Sequence, residues 1–494
     1  MAVRQKERFF KSLILFLGIS IAFLCLPFNS FEDNAPNLDT KIDRLISKYK
    51  LTKSKVGIRA ISLSQNKLIC SRSSEALLSP ASNLKLFTTG AALCLLGKDF
   101  NYETTLYRNG ALADGVLTGD LIVTSNGNPN VSGRFYDGNT TAIFENWGDI
   151  LLRLGVKEIN GNIIIDDTAF DRDYLVNTWP SNQLACWYCA PVSAVSFNDN
   201  CIDVTVFPER NNGRVLYRLD PNTRGVKVIN ECKQTTRKSQ HAIYFAKNSD
   251  DEIIIKGRCY SKAGSFKESI TVDNPPVYFG SVLKETLKNK KGIRINGAVK
   301  LSAKPYNCQN NNLTKVASTK TDLLTTLTIT NKNSQNFYAE QILKTLGYYF
   351  NGKGTFRNGI TQIEKFLRDN KILLPKDDYT QLDGSGLSPK NRITVKQMVN
   401  LLSYLHNTRY GEEFRETLAL NGVDGTLKNR FKSNGKKHKV WAKTGYIKNV
   451  SALSGYLKTK DNNDIAFSVI INGIPDLAKA RQFQEKLLDL LMEY

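Results

Sequence analysis

Apolar residues in NLDTKIDRLISKYK fall at Leu38, Ile42, Leu45 and Ile46, three and four apart, which predicts a short amphipathic helix. The following KVGIRAISLSQNKLICS reads as two strands about a tight turn. LLSPASNLKLFTTGAALCLLG then opens an apolar helix, with Pro80 before it, Ser82 near its first turn and Lys85 three residues on. From about residue 105 to 314 the pattern changes to short β-like runs (GDLIVT, GNIIIDD, CIDVTVF, DEIIIKG) parted by Gly, Asn and Asp turns. One amphipathic helix, IFENWGDILLRLG, interrupts them. Helical spacing returns in NSQNFYAEQILKTLGYYF, GITQIEKFLRDNK and TVKQMVNLLSYLHNT. HKVWAKTGYI, VSALSGYLKT and DIAFSVIING predict three antiparallel strands with short turns, followed by the helix DLAKARQFQEKLLDLLMEY.

These elements predict one α/β (α+β) domain built from residues 33–104 and 315–494. The hairpin and the three-strand meander form an antiparallel sheet, the first and last helices cover it, and a helical lobe lies opposite. Residues 105–314 form a mostly β insert. The total of 494 residues exceeds one ordinary core and agrees with about three bodies at roughly 150 residues each.

Residues 1–32 carry a basic head (Arg4, Lys6, Arg8, Lys11) and an uncharged apolar run from Leu13 to Phe28, read as a signal peptide or a membrane anchor. Cleavage and retention both stay open, so membrane association through this segment does too. Either way the chain is exported, to the periplasm or cell envelope. Export permits disulfides among Cys70, Cys94, Cys186, Cys189, Cys201, Cys232, Cys259 and Cys308. The CWYC at 186–189 has neither a second pair at suitable spacing nor a nearby His, so disulfides or buried thiols are favoured over a redox or metal site. No metal or other cofactor is expected. The net charge of +22 would suit nucleic acid. Its lysines are scattered, however, with only SNGKKHKVWAK (433–443) dense, and export removes the chain from cytoplasmic nucleic acid. An anionic wall or lipid surface is the better match.

The chain has only three histidines, His241, His406 and His438, and lacks both His-Glu-x-x-His and Gly-x-Ser-x-Gly. A serine enzyme built from it needs another base, and lysine is available. Ser-x-x-Lys occurs five times, starting at Ser47, Ser64, Ser82, Ser281 and Ser433. Only Ser82-Asn83-Leu84-Lys85 opens an apolar helix ahead of Ser334-Gln335-Asn336 and Lys443-Thr444-Gly445, the ordered signature of penicillin-recognising serine acyltransferases. In that reading Lys85, neutral through burial against Leu84 and Leu86 and the nearby charge of Lys443, takes the proton of the Ser82 hydroxyl. Ser334 relays a proton to the leaving group and Asn336 binds the substrate amide. Lys443 and Thr444 hold a carboxylate, Gly445 admits substrate to the strand edge, and the backbone N–H groups of Ser82 and Tyr446 form the oxyanion hole. His438 reads as a solvated histidine in a basic loop. DGSGLS (383–388) and VDGTLKNRF (423–431) read as turns supporting the cleft, without catalytic roles.

On SPASNLKLFTTGAAL, GNIIIDDTAFD, APVSAVSFNDNCIDV, NKNSQNFYAEQIL, DGSGLS, VDGTLKNRF and WAKTGYIKNVSALSGYL, the chain resembles the D-alanyl-D-alanine carboxypeptidase/endopeptidases of the low-molecular-mass class C penicillin-binding type, peptidase family S13. The resemblance implies a penicillin-binding-protein/β-lactamase-like transpeptidase domain. A two-part insert would split it between the first and second motifs, with a nested subdomain near 131–206, as the 252 positions from Ser82 to Ser334 allow. It also implies cleavage of peptidoglycan stem peptides and cross-links through an acyl-enzyme on Ser82, and acylation by β-lactams. Tyr446 departs from the small hydroxyl residue that often follows Lys-Thr-Gly in such proteins. The alternatives are a β-lactamase or esterase using the same residues, and a non-catalytic cell-wall-binding protein.

Overall fold

The computed structural model describes residues 37–52, 55–209, 213–248, 252–307, 312–431 and 439–493. The leader, Cys308, His438 and Ser433 lie outside the described residues. No helix among the described residues is long and apolar enough to cross a membrane.

Helix α1 (Leu38–Lys48) starts at Asn37, whose side chain accepts from the Thr40 N–H and so satisfies one of the helix's free donors. The hairpin β1 (Lys55–Ser62) and β2 (Lys67–Arg72) follows, then α2 (Lys85–Leu96) and β3 (Asn101–Arg108). After the insert come β4 (Thr314–Asp322), α3 (Asn336–Asn351), α4 (Val395–His406), the short β5 (Ala419–Leu420), the meander β6 (Val440–Ile447), β7 (Val450–Lys458) and β8 (Asp464–Asn472), and α5 (Leu477–Met492). Six strands form one antiparallel sheet in the order β5-β6-β7-β8-β1-β2.

Nearly every residue of β7 and β8 is buried, because the sheet is covered on both sides. On one face Ile42 of α1 and Phe483, Leu487 and Leu491 of α5 pack on Leu453, Phe467 and Val469. On the other, Ala452, Tyr456, Ala466 and Ile470 join a helical core containing Leu86 and Phe87 of α2, Ile342 and Leu346 of α3, and Met398 and Leu402 of α4. Two buried faces explain why these strands read as apolar runs with little alternation. The antiparallel sheet with the first and last helices on one face and a helical lobe on the other is the arrangement read from the sequence.

The insert has its own core, in which Phe144, Trp147, Phe197 and Phe279 cluster. Its five-stranded sheet runs Val299–Leu301, Ile163–Asp166, Leu121–Ser125, β3, β4. Asn101 of β3 therefore stands opposite Asp322 of β4, a few residues outside the span 105–314. Two further sheets lie between Cys201 and Thr271: in one, Cys201–Pro208 pairs with Val215–Asp220 and Phe266–Thr271, and the other is built around Ile253–Tyr260.

Candidate functional site

The nucleophile candidate sits in a tight 3₁₀ turn, Ala81–Leu84, that runs directly into α2. Ala81 has φ +46°, a left-handed conformation uncommon outside glycine, so the surrounding contacts must hold the turn in place. Two of them come from Asn83, which is fully buried. Its Nδ2 donates to the Lys443 carbonyl at 2.7 Å, and its Oδ1 accepts from Ser454 Oγ at 2.7 Å. The turn is thereby fixed to β6 and β7. A Cβ at Gly445 would come within 2.8 Å of the Pro80 carbonyl, so the third motif needs glycine for this approach.

Lys85 is 0% exposed. Its Nζ lies 2.9 Å from Ser82 Oγ, 2.7 Å from Asn336 Oδ1 and 2.8 Å from the Ser385 carbonyl. Asn336 opens α3, and its Nδ2 donates to the Tyr188 carbonyl at 2.8 Å, which fixes its Oδ1 toward Lys85. Both Oδ1 and the Ser385 carbonyl can only accept. They engage the two N–H bonds of a neutral amine and leave its lone pair directed at the Ser82 hydroxyl. Burial pulls the Lys85 ammonium down to about 7, against the upward pull of Glu340 and Asp383. The amine is therefore available near neutral pH.

Two carboxylates that sequence reasoning missed orient this arrangement. Glu340, one turn along α3 from Asn336, accepts from the Gly384 and Ser385 N–H groups at 2.7 and 2.8 Å and so presents the Ser385 carbonyl to Lys85. Burial raises its carboxyl to about 8 in spite of these bonds. Asp383 accepts from the N–H groups of Gly386 and Ser388, Asn391 Nδ2 and Trp179 Nε1 at 2.6–2.9 Å. A Cβ at Gly386, where φ is +82°, would fall 1.9 Å from the Ala81 carbonyl. The DGSGLS segment thus presses on the nucleophile turn and contributes a contact to Lys85, beyond the supporting turn expected of it.

Ser334 has φ +59°, and its Oγ accepts from Lys443 Nζ at 2.8 Å. Lys443 is fully buried and also donates to the Thr444 carbonyl at 2.7 Å. Burial, and secondly the charge of Lys85, hold it well below the usual lysine range. A cavity of about 310 Å³ is lined by Ser82, Ser334, Thr444, Gly445 and Tyr446, together with Thr426, Arg430 and Arg481. Lys85 and Lys443, both fully buried, stand behind this lining. The donor and cationic groups at this cavity are accordingly the Thr444 hydroxyl, which donates to Thr426 at 2.9 Å, and the two arginines. Arg430 is held by Glu485 at 2.9 Å. It belongs to VDGTLKNRF, whose place at the cavity no local pattern discloses.

His241 accepts from the Tyr260 N–H and His406 lies 3.2 Å from Arg415, so both are engaged elsewhere. Among the described residues the cysteines are free thiols, and no three His, Cys, Asp or Glu side chains are grouped to hold a metal.

Residues 38–494 match the family model described as the D-Ala-D-Ala carboxypeptidase 3 (S13) family. The chain is 28% identical over 458 residues to the D-alanyl-D-alanine carboxypeptidase DacB of Haemophilus influenzae, covering 89% of this chain and 92% of that protein. It is 27% identical over 444 residues to the D-alanyl-D-alanine carboxypeptidase of Actinomadura sp. (strain R39), covering 87% and 80%. The crystal structure of penicillin binding protein 4 (dacB) from Haemophilus influenzae superimposes with a TM-score of 0.79 at 25% identity, covering 92% of this chain and 99% of that one.

Proposed function

The chain belongs to the D-Ala-D-Ala carboxypeptidase 3 (S13) family, and from that premise we propose that Ser82 is the residue acylated when it cuts a peptidoglycan stem peptide. The protein is a serine-type D-Ala-D-Ala carboxypeptidase. The observation that carries the residue assignment is the triply held Lys85, whose lone pair faces Ser82.

Lys85 removes the Ser82 proton as Oγ attacks the carbonyl between the two terminal D-alanines. The N–H groups of Ser82 and Tyr446 receive the oxyanion. Ser334, polarised by Lys443, returns a proton to the amine of the departing D-alanine, while Thr444 and the arginines at the cavity hold its carboxylate. Asn336 keeps Lys85 aligned and binds the substrate amide with its remaining capacity. Water then resolves the acyl-enzyme. The same steps on a D-alanyl cross-link make an endopeptidase. β-Lactams acylate the serine and leave slowly; one Haemophilus relative has been crystallised with a β-lactam. The substrate lies outside the cytoplasmic membrane, and the basic head and apolar run before Ser30 supply the export signal or anchor.

The test combines product and adduct. A pentapeptide ending in D-Ala-D-Ala releases D-alanine, and fluorescent penicillin leaves a lasting adduct that digestion and mass spectrometry assign to the peptide containing Ser82. An adduct on another residue, or none on folded protein, overturns the assignment. Fast penicillin turnover with no lasting adduct identifies a β-lactamase instead.

The labelling rate is expected to climb with pH up to about 7 and then level off. Below that value Lys85 is charged and has no lone pair to offer, so each unit of acidification costs about tenfold. A rate that stays flat between pH 5 and 8 would remove Lys85 as the base.

A further inference from the structure

A cavity of about 750 Å³ lies away from the serine, between the five-stranded sheet of the insert and the C-terminal end of α3. Its walls carry Tyr107 from β3, Tyr306, and Tyr348 and Tyr349 from the last turn of α3. Tyr349 is 45% exposed, yet its ring is fixed in place. Phe100 and Tyr348 meet it edge-on at centroid distances of 5.1 and 5.3 Å, and its hydroxyl accepts from Asn126 Nδ2 at 3.1 Å. A fixed aromatic face of this kind suits the C–H face of a sugar ring.

Fixed polar groups accompany the rings. Asp166 is nearly buried and its carboxylate is oriented by three donors, the Thr168 N–H at 3.1 Å and hydroxyl at 2.5 Å on Oδ1 and the Tyr306 N–H at 2.7 Å on Oδ2, which keeps capacity for one further donor. Thr105, Thr124 and Ser125 also line the cavity. Its charges are Glu103 and Asp166 against Lys315 and Lys353, which sum to zero in a chain of net charge +22. Glu103 is paired with Lys315 at 2.9 Å, and Lys353 donates to the Thr168 carbonyl at 2.7 Å. An anion gains little here, whereas a neutral ligand rich in hydroxyl and amide groups finds acceptors, donors and ring faces together.

Position points the same way. α3 begins with Asn336 beside Lys85 and ends at the cavity, so the twelve or thirteen residues to Tyr348 and Tyr349 advance about 18–20 Å along the helix. An extended peptide of roughly five residues spans about 17 Å. We propose that this cavity binds the N-acetylated sugar chain of peptidoglycan, seating the sugar that bears the stem peptide whose far end reaches Ser82. The inference rests on the peptidoglycan reading above and adds a second, saccharide site to it.

The test uses the full chain carrying Ser82→Ala, so that binding is read without turnover, and the N-acetylglucosamine tetramer as probe. Calorimetric titration should show saturable binding, weakened at least tenfold by Tyr349→Ala and by Tyr306→Ala but largely kept by Tyr349→Phe, which preserves the ring. In enzyme with Ser82 intact, the two alanine variants should raise KM for intact sacculi several-fold relative to KM for a free pentapeptide. Fluorescent-penicillin labelling reports that these variants are folded. No saturable binding, or equal affinity in all variants, overturns the saccharide site. Because the probe contains no peptide, that result is distinct from failure of the peptidase reading, which shows as absent D-alanine release.

Discussion

Lys85→Met slows acylation of Ser82 by about 10²- to 10⁴-fold, the range expected when a positioned general base is lost. Methionine is of similar length and suits a site that is 0% exposed, so the fold survives. The Asn336 and Ser385 acceptors lose a donor, at about 1–3 kcal/mol for each one left unsatisfied, and relief of the buried amine's desolvation offsets part of this. Lys85→Arg should fail as badly, because a guanidinium stays charged at every relevant pH. The rate of fluorescent-penicillin labelling, measured beside a melting curve, checks both variants. A folded methionine variant labelling within tenfold of wild type would assign the proton transfer to another group.

The second large effect is on stability. Asp383→Ala leaves four donors without their acceptor: the N–H groups of Gly386 and Ser388, Asn391 Nδ2 and Trp179 Nε1. Asp383 is 0% exposed, so water cannot replace it without opening the loop. A loss of about 3–5 kcal/mol follows, a fall in Tm of roughly 10 °C for a catalytic domain of this size. Labelling should also slow, since the same loop presents the Ser385 carbonyl to Lys85. A variant melting within 2 °C of wild type would show that the loop keeps its shape without this carboxylate.

The contrast between Lys85 and Asp383 marks how far the sequence could be read. The serine, the lysines and Asn336 stand in short motifs whose residue types are dictated by the chemistry, and their settings on a helix start, a helix junction and a strand follow from local periodicity. The meander was legible for the same reason: β6, β7 and β8 are apolar runs separated by turns. Glu340, Asp383 and the carbonyls of Ser385 and Tyr188 have no such signature. A backbone carbonyl carries no residue type, and Tyr188 meets Asn336 across 148 positions of sequence. The insert's strands were visible as β-like runs, but their partners were not. Leu121–Thr124 pairs in parallel with Ile163–Asp166, a register set by packing that no turn announces.

The pairing of β3 with β4 has a consequence for how such a chain can be assembled. Asn101 and Asp322 face each other where the insert leaves and rejoins the catalytic part, so the two ends of some two hundred residues are clamped side by side by a strand ladder. Loop-closure entropy grows only as the logarithm of length, about 0.6 kcal/mol for each doubling, and here the ladder that closes the loop is part of the insert's own sheet. To the surrounding domain the insert is topologically a hairpin. Its interior can lengthen, shorten or be exchanged over evolutionary time with little thermodynamic cost to the rest, provided the first and last strands keep their register.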